Sequence, residues 1–542
     1  MKKFNKGAIA LAVAGALALP QMAMAADMVF GASQQITFAK DLIVDNGTTI
    51  YAPAGLELRA QATDAAKMAT IAAGNTLQVK ITLSNGAKFD SSAPAPGLVA
   101  QFLEGAETGR APAGALVVVG TPYYSASGSE LNFQYTATAA GQNLADPAYT
   151  LQINGLQITN LVEALKIGNQ LQAEITVQNV STGGQQILAA SQTIARSVWG
   201  EYAKVIANPD SAKRIDVAGC STPSFGRLTR FSPNGAVGNA CAAGAPANSV
   251  FNAGTVEVGI TRALETDGAT QSFVNNFNAT AANPEYNLVG TGKITTTVVG
   301  SDFSNFTAGR TWLDLSNTCA HAAGTFIDGV VGPNNTAVYN ADVTHPLYIA
   351  LTQNPPASPV TVNVCFSASA QNELVPQALS GKLEFFHQLP TQRVDPPAQS
   401  LSPLTAMELN GAQLVFQNVN PAGNPTAQSF MRITNNNNAI CPVTIDAKDD
   451  AGRYSGKVRT TLPAHQSYQF NVDALESGSD ARIASGSLGN GTGKWYLRIT
   501  AECSNFKASA LNRNAQSGTV TDLTPEKGAG IEWLTPSTLI NP

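Results

Sequence analysis

Apolar residues recur at every second position through much of this chain, and that spacing leaves little choice of secondary structure. Leu77, Val79, Ile81 and Leu83 alternate with Gln78, Lys80 and Thr82 and run into Ser84-Asn85-Gly86. A strand points successive side chains to opposite faces, so such a segment has one apolar and one polar side. Asn-Gly supplies the backbone angles of a tight hairpin turn. Ala173, Ile175 and Val177 alternate before Ser181-Thr182-Gly183-Gly184. Val256, Val258 and Ile260 repeat the spacing, as do Val362, Val364 and Phe366. These segments are expected to be half-buried antiparallel strands, and their Val and Thr content agrees. Residues 185–205 fit a helix or, through Thr193, Ile194 and Val198, a strand equally well. Residues 370–380 have room for one short helix. Many short strands separated by Gly, Asn and Pro turns imply an all-β chain, with several antiparallel β-sandwich (Ig-like) domains in series.

The first 25 residues have a different logic. Lys2, Lys3 and Lys6 precede an apolar run, Gly7 to Leu19, which Pro20 ends before Ala23-Met24-Ala25. A basic start, a short apolar stretch and small residues at the cleavage position form a secretory signal peptide. Cleavage is expected after Ala25. The run is shorter than the roughly 20 residues a spanning helix needs, and no later segment reaches that length, so the mature chain is expected to carry no transmembrane segment. About 517 residues then remain, enough for roughly three or four domains. The expected division is a cysteine-free β-sandwich over 26–205 and a β-rich domain with four cysteines over 206–394. A proline-rich linker over 395–408 and a β-sandwich module over 409–542 complete it.

All six cysteines, Cys220, Cys241, Cys319, Cys365, Cys441 and Cys503, follow residue 219. An even number in an exported chain favours disulfides, placed in the later domains. Fifteen pairings are possible. Sequential pairs are favoured because each expected domain then holds an even number. In addition, Cys441 shares the strand phase of Val443 and Ile445, and Cys503 continues the phase of Trp495, Leu497, Ile499 and Ala501. Metal is the other use of cysteine. No CxxC occurs, and His321, His345, His387 and His465 stand at no ligand spacing, so no metal site is expected.

Charge and motifs narrow the function classes. Only 13% of residues are charged, against about 25% in typical soluble domains. Loss of the leader moves the formal charge from −5 to −8. With no basic cluster, nucleic acid is not an expected partner. No GxSxG elbow, HExxH or GK[ST] phosphate loop is present, so neither a catalytic residue nor a cofactor site is expected. Asp449-Asp450-Ala451-Gly452 has a superficial look of calcium binding. It lacks the alternating acids and distant Glu of an EF-hand loop, and Asp and Gly suit a polar hairpin turn. Tyr123-Tyr124 and Trp199 could stack on sugars, although packing between strands is the commoner use of such residues.

One region resembles a known module. Ser429-Phe430-Met431-Arg432-Ile433-Thr434-Asn435 is followed by Val443-Thr444-Ile445-Asp446-Ala447-Lys448-Asp449-Asp450-Ala451-Gly452-Arg453. Gly489-Asn490-Gly491-Thr492-Gly493-Lys494-Trp495-Tyr496-Leu497 comes later. This order, over about 410–525, resembles a β-sandwich module of secreted and surface proteins of proteobacteria. Cys441 and Cys503 depart from that pattern. The resemblance implies an accessory extracellular β-module and brings no catalytic residues with it. No family is named for the whole chain.

Export, weak charge, β-richness and cysteines without catalytic motifs together lead to an expectation of a non-enzymatic structural or interaction protein. It would belong to the outer surface of a Gram-negative bacterium, as a self-assembling surface-layer or filament subunit or an adhesin. Its partners would be copies of itself or cell-surface components. The alternatives are a periplasmic location and a secreted polysaccharide-binding protein or, further off, a glycan-active enzyme with dispersed carboxylates.

Overall fold

The computed structural model describes residues 28–29, 36–47, 58–62, 72, 74–90, 99–104, 111–112, 117–136, 149–154, 157–218, 228–238, 240, 249–264, 271–273, 275–280, 283–285, 292–307, 309–316, 318–352, 359–369, 372–388 and 393–524. The expected signal peptide and its cleavage position after Ala25 lie outside the described residues. So do Cys220 and Cys241. The fold is all-β, as the alternation requires, and is organised as two compact units, each assembled from separate stretches of chain.

The first unit comprises residues 1–202, 260–291 and 387–396. Its largest sheet runs in the order Asn283–Glu285, Asn275–Thr280, Ile36–Ala39, Gln185–Val198, Gln170–Asn179, Thr76–Leu83, Glu130–Thr136, Val117–Tyr124. The Thr76–Leu83 strand alternates half-buried and buried residues without a break. Val79 lies opposite Val177 on one side and Phe133 on the other, and Ile81 lies between Ile175 and Leu131. All six are buried, so the two-residue period becomes a continuous apolar sheet face. The turn that ends this strand has positive φ at both Asn85 and Gly86 (53° and 74°). Gly tolerates that geometry freely and Asn better than most residues. The ambiguous stretch 185–205 is strand: Gln185–Val198, with Glu201–Ala207 following. Ile36–Ala39 pairs with Gln185–Val198 in parallel, a departure from the antiparallel pattern expected throughout.

The second unit comprises residues 203–259, 292–386 and 397–542. Val250–Ile260, Val360–Ser367, Thr311–Asp314 and Phe326–Asp328 follow one another in one sheet. Another is ordered Val330–Gly332, Thr336–Ala341, Gly292–Val299, Ser380–His387, Gln399–Leu401. The last of these strands lies within the proline-rich stretch. Residues 372–379 hold no helix. Short helices occur instead at Pro346–Thr352 and Val472–Ser477.

The C-terminal part of this unit is a sandwich. One sheet is ordered Ala412–Val419, Trp495–Ala501, Cys441–Asp449, Val458–Leu462, Ile483–Ser485. The other is ordered Ser467–Asn471, Ala427–Asn435, Phe506–Asn514, Val520–Asp522. Phe416, Ile445, Trp495 and Leu497 from the first sheet meet Met431, Ile433, Phe470 and Phe506 from the second in one buried cluster. Inward faces of two packed sheets bury alternate residues in this way. Among the described residues two disulfides close. Cys319–Cys365 spans Cα atoms 5.8 Å apart beside Trp312, and Cys441–Cys503 spans 5.6 Å at the edge of the sandwich core. Among the described residues no helix is long and apolar enough to cross a membrane.

Candidate functional site

The acidic pair of the 449–453 hairpin is engaged by N–H donors of the hairpin and of the 492–494 turn. Asp449 Oδ1 accepts the Arg453 N–H at 2.8 Å. Its Oδ2 accepts Arg453 Nε at 2.9 Å and the Thr492 N–H at 3.0 Å. Asp450 Oδ2 accepts the Lys494 N–H at 2.7 Å. Arg453 also reaches the Thr492 hydroxyl. Two carboxylates thus clip the hairpin to the glycine-rich turn that precedes Trp495. Burial would raise the Asp449 pKa, but the N–H groups of Arg453 and Thr492 and the Arg453 guanidinium outweigh it and hold the carboxyl at about 2. This is the turn role that Asp and Gly suggest, with the carboxylates engaged by N–H donors.

Beneath that turn, Trp495 Nε1 donates to Glu476 Oε1 at 2.6 Å, and the same oxygen accepts the Ala422 N–H at 2.9 Å. Glu476 sits in the Val472–Ser477 helix, whose N-cap Asn471 accepts the Ala474 N–H and whose C-cap Gly478 is left-handed. Arg498 forms a two-point contact with Asp446 at 2.8 and 3.0 Å, and also binds Glu373. None of these contacts was legible beforehand, because each partner lies on a different strand or loop.

The aromatic candidates have divided fates. Tyr123 is exposed, whereas Tyr124 stacks on Phe89 with ring centroids 5.8 Å apart. Trp199 lies under the Lys40 ammonium, 5.9 Å from the ring centroid. Tyr454, which the sequence does not single out, is the most exposed large hydrophobic side chain among the described residues, at 82%. Of the histidines, His321 Nε2 lies 2.8 Å from Asp328 Oδ1 and its ring stacks on Phe326. His345 Nδ1 accepts the Leu347 N–H.

His387 belongs to the one group of potential metal ligands found among the described residues. Asp41, Glu201 and His387 each bring a ligand-type atom to within 4.8 Å of the others. All belong to the first unit. Asp41 lies in the 3-10 turn Lys40–Leu42, Glu201 opens the strand Glu201–Ala207, and His387 closes the strand Ser380–His387. Asp41 is held from two directions: its Oδ1 accepts the Gly200 N–H at 3.1 Å and its carbonyl accepts the Val394 N–H at 2.8 Å. Arg393 Nη1 stands 3.4 Å from Asp41 Oδ2 and 3.9 Å from Glu201 Oε1. His387 Nε2 is 3.1 Å from Glu201 Oε1. That contact is close without the directionality of a hydrogen bond, and Nε2 has no hydrogen-bond partner. The side chains of His387, Arg393, Glu201 and Asp41 are 3%, 5%, 0% and 0% exposed. No local spacing signals this group, because its members come from widely separated parts of the chain.

No family model matches the chain, and no curated protein matches it. Among solved structures, it is similar to the T6 backbone pilin of serotype M6 Streptococcus pyogenes, at 10% identity and a TM-score of 0.21. That match covers 84% of this chain and 81% of the pilin. It is also similar to BcpA, the major pilin subunit of Bacillus cereus (8% identity, TM-score 0.19, 80% and 92% covered). A third is the C-terminal domain of the antigen I/II-family protein AspA of Streptococcus pyogenes (7% identity, TM-score 0.21, 68% and 94% covered). These likenesses are too slight to carry a functional argument, which rests on the chain itself.

Proposed function

We infer that the chain is an exported, non-enzymatic structural protein of the bacterial cell surface, which packs against copies of itself or against other surface components. A Gram-negative outer surface is the location this reading favours. The observation that carries it is the edge of the C-terminal sandwich. Among the described residues Val520–Asp522 pairs with Phe506–Asn514 alone, and all three of its residues are exposed. Such an edge offers backbone donors and acceptors for strand addition between subunits. A weakly charged surface lowers repulsion between packed copies, and disulfides suit an oxidising exterior.

The test is electron microscopy and light scattering on the purified mature chain, beside a Val520→Lys variant that places a charge on the edge. Lattices or filaments from the parent chain, weakened in the variant, support the reading. A strictly monomeric parent at high concentration, with no surface residence in fractionated cells, refutes it. The polysaccharide-binding alternative draws on the exposed Tyr454 ring, with the Lys448 ammonium 5.7 Å from its centroid. Glycan binding lost in Tyr454→Ala would favour that alternative.

A further inference from the structure

We propose that Tyr454, Lys448 and Tyr496 form a binding platform for an acidic polysaccharide, with sugar faces on the two tyrosine rings and a uronate carboxylate on the Lys448 ammonium. The proposal deepens the polysaccharide-binding alternative and rests on it. The argument begins with strand register. Lys448, in Cys441–Asp449, lies directly opposite Tyr496, in Trp495–Ala501. On its other side an isolated antiparallel bridge sets Tyr454 opposite Lys448. Residues directly opposite one another on neighbouring strands point to the same face. The side chains therefore stand in one row: ring, ammonium, ring. Their chain neighbours Ala447, Asp449, Trp495 and Leu497 are buried, so the row belongs to the outer face of the sheet.

Exposure divides that face. Thr444 and Thr500 are an opposed pair on it, and both are buried. Between that pair and the row, Arg498 binds Asp446 and Glu373. At the far end Tyr454 is 82% exposed. A ring left in water contributes little to folding, because its stabilising effect comes from burial. Lys448 Nζ stands 5.7 Å from the centroid of that ring, within cation–π range. Among the described residues, neither Lys448 nor the exposed Lys494 forms an ion pair.

Charge names the class of ligand. Residues 441–461 and 489–501 build this end of the sheet and hold six basic residues against three acids, whereas the whole chain carries a net charge of −5. Asp449 is occupied by N–H donors and by Arg453, and Asp446 by Arg498. Asp450 accepts the Lys494 N–H through one oxygen. The positive excess, with Lys448 at the centre of the row, favours an anion. The rings favour flat apolar faces, which the C–H faces of a sugar supply and a bare carboxylate or phosphate does not. Neighbouring strands lie roughly 5 Å apart, so the row extends about 10 Å across the sheet. That length suits linked sugar units rather than a single one.

The experiment uses the full mature chain in affinity electrophoresis and calorimetry. Polygalacturonate is the probe, dextran the neutral glycan, and polyglutamate a polyanion without sugar rings. The expected result is binding to polygalacturonate that weakens with salt, with no comparable binding to the other two. Tyr454→Ala and Lys448→Gln should each weaken it at least about tenfold at unchanged Tm. Tyr496→Phe, which keeps the ring, and Val520→Lys, on the other sheet of the sandwich, should retain it. Equal binding of polyglutamate, or polygalacturonate binding unaltered in Tyr454→Ala, overturns the proposal. Dextran bound as well as polygalacturonate overturns it while the polysaccharide-binding alternative stands. Binding of neither glycan removes both.

Discussion

Asp449 and Thr492 lie on opposite sides of the connection that leads into Trp495, and the carboxylate of the first receives the backbone N–H of the second at 3.0 Å. The bond holds a hairpin and a glycine-rich turn together, and its strength depends on the carboxylate charge. Folded Asp449 titrates at about 2, because donors from Arg453 and Thr492 overcome the effect of burial. An unfolded Asp titrates near 3.9. A depressed folded pKa stabilises the protein fully above the unfolded value, and that stabilisation is lost as pH falls toward about 2. Urea melts of the parent between pH 2 and 7 should therefore show a stability loss at the acid end that Asp449→Asn reduces. The variant should also melt earlier at neutral pH. Superimposable pH profiles for the two chains would remove Asp449 from this role.

Arg498 performs a related task within the second unit, bridging Asp446 on a neighbouring strand and Glu373 outside the sandwich. Burial alone would lower its pKa, but bonds to Asp446 and Glu373 raise it overall, so the guanidinium stays charged across the working range. Arg498→Lys keeps the charge and loses the planar fork. A loss of about 1–2 kcal/mol in denaturant midpoint analysis is expected, in line with hydrogen bonds between charged groups. A cycle with Asp446→Ala should show strong non-additivity; purely additive effects would mean the two do not act together.

The alternation of apolar residues was enough to read the sheets, because each strand's register is set by burying one face. Thr76–Leu83 carries its pattern unchanged from sequence to structure. Cys441 has the same inward phase as Val443 and Ile445, and all three are buried. Periodicity says nothing about which strands become neighbours, so the parallel placement of Ile36–Ala39 beside Gln185–Val198 was not legible. The same limit applies to Asp41, Glu201 and His387. Asp41 lies within a three-residue turn and Glu201 and His387 at strand ends, and only tertiary folding brings them together. The helix Val472–Ser477 was missed for a different reason. It is six residues long, so its apolar signal is limited to Val472 and Leu475, which enter the sandwich core, while Asn471, Gly478 and the Glu476 contact to Trp495 fix its ends and position.

The Cys441–Cys503 disulfide closes a loop with a sequence separation of 62 residues. Loop-closure reasoning assigns such a cross-link about 4 kcal/mol through its effect on the unfolded chain. Replacing both cysteines with Ser should lower the stability of the second unit by an amount of that order. Reductant should shift the melting of the parent far more than that of the variant. Equal shifts in both would assign the reductant's effect to other cysteines.

Gly491 offers a sharper test of the turn above Trp495. A Cβ at residue 491 would collide with the indole ring, meeting Cε2 at 2.6 Å and Cη2 at 2.8 Å. The ring cannot shift freely, because Nε1 is bonded to buried Glu476 and the residue is part of the buried sandwich core. Gly491→Ala must therefore displace the turn or the indole. Displacing the indole would weaken a hydrogen bond to a buried carboxylate and open a gap in the core, at a cost of about 1–3 kcal/mol for the bond alone. Trp495→Phe removes the same donor while leaving an aromatic ring in place, and should cost a similar amount. Adding Gly491→Ala to Trp495→Phe should then cost less than Gly491→Ala alone, since the smaller ring leaves room for the methyl group. Thermal melts of the two single variants and the double decide the matter. Full additivity would show that the glycine is required for the turn's backbone and not for its approach to the ring.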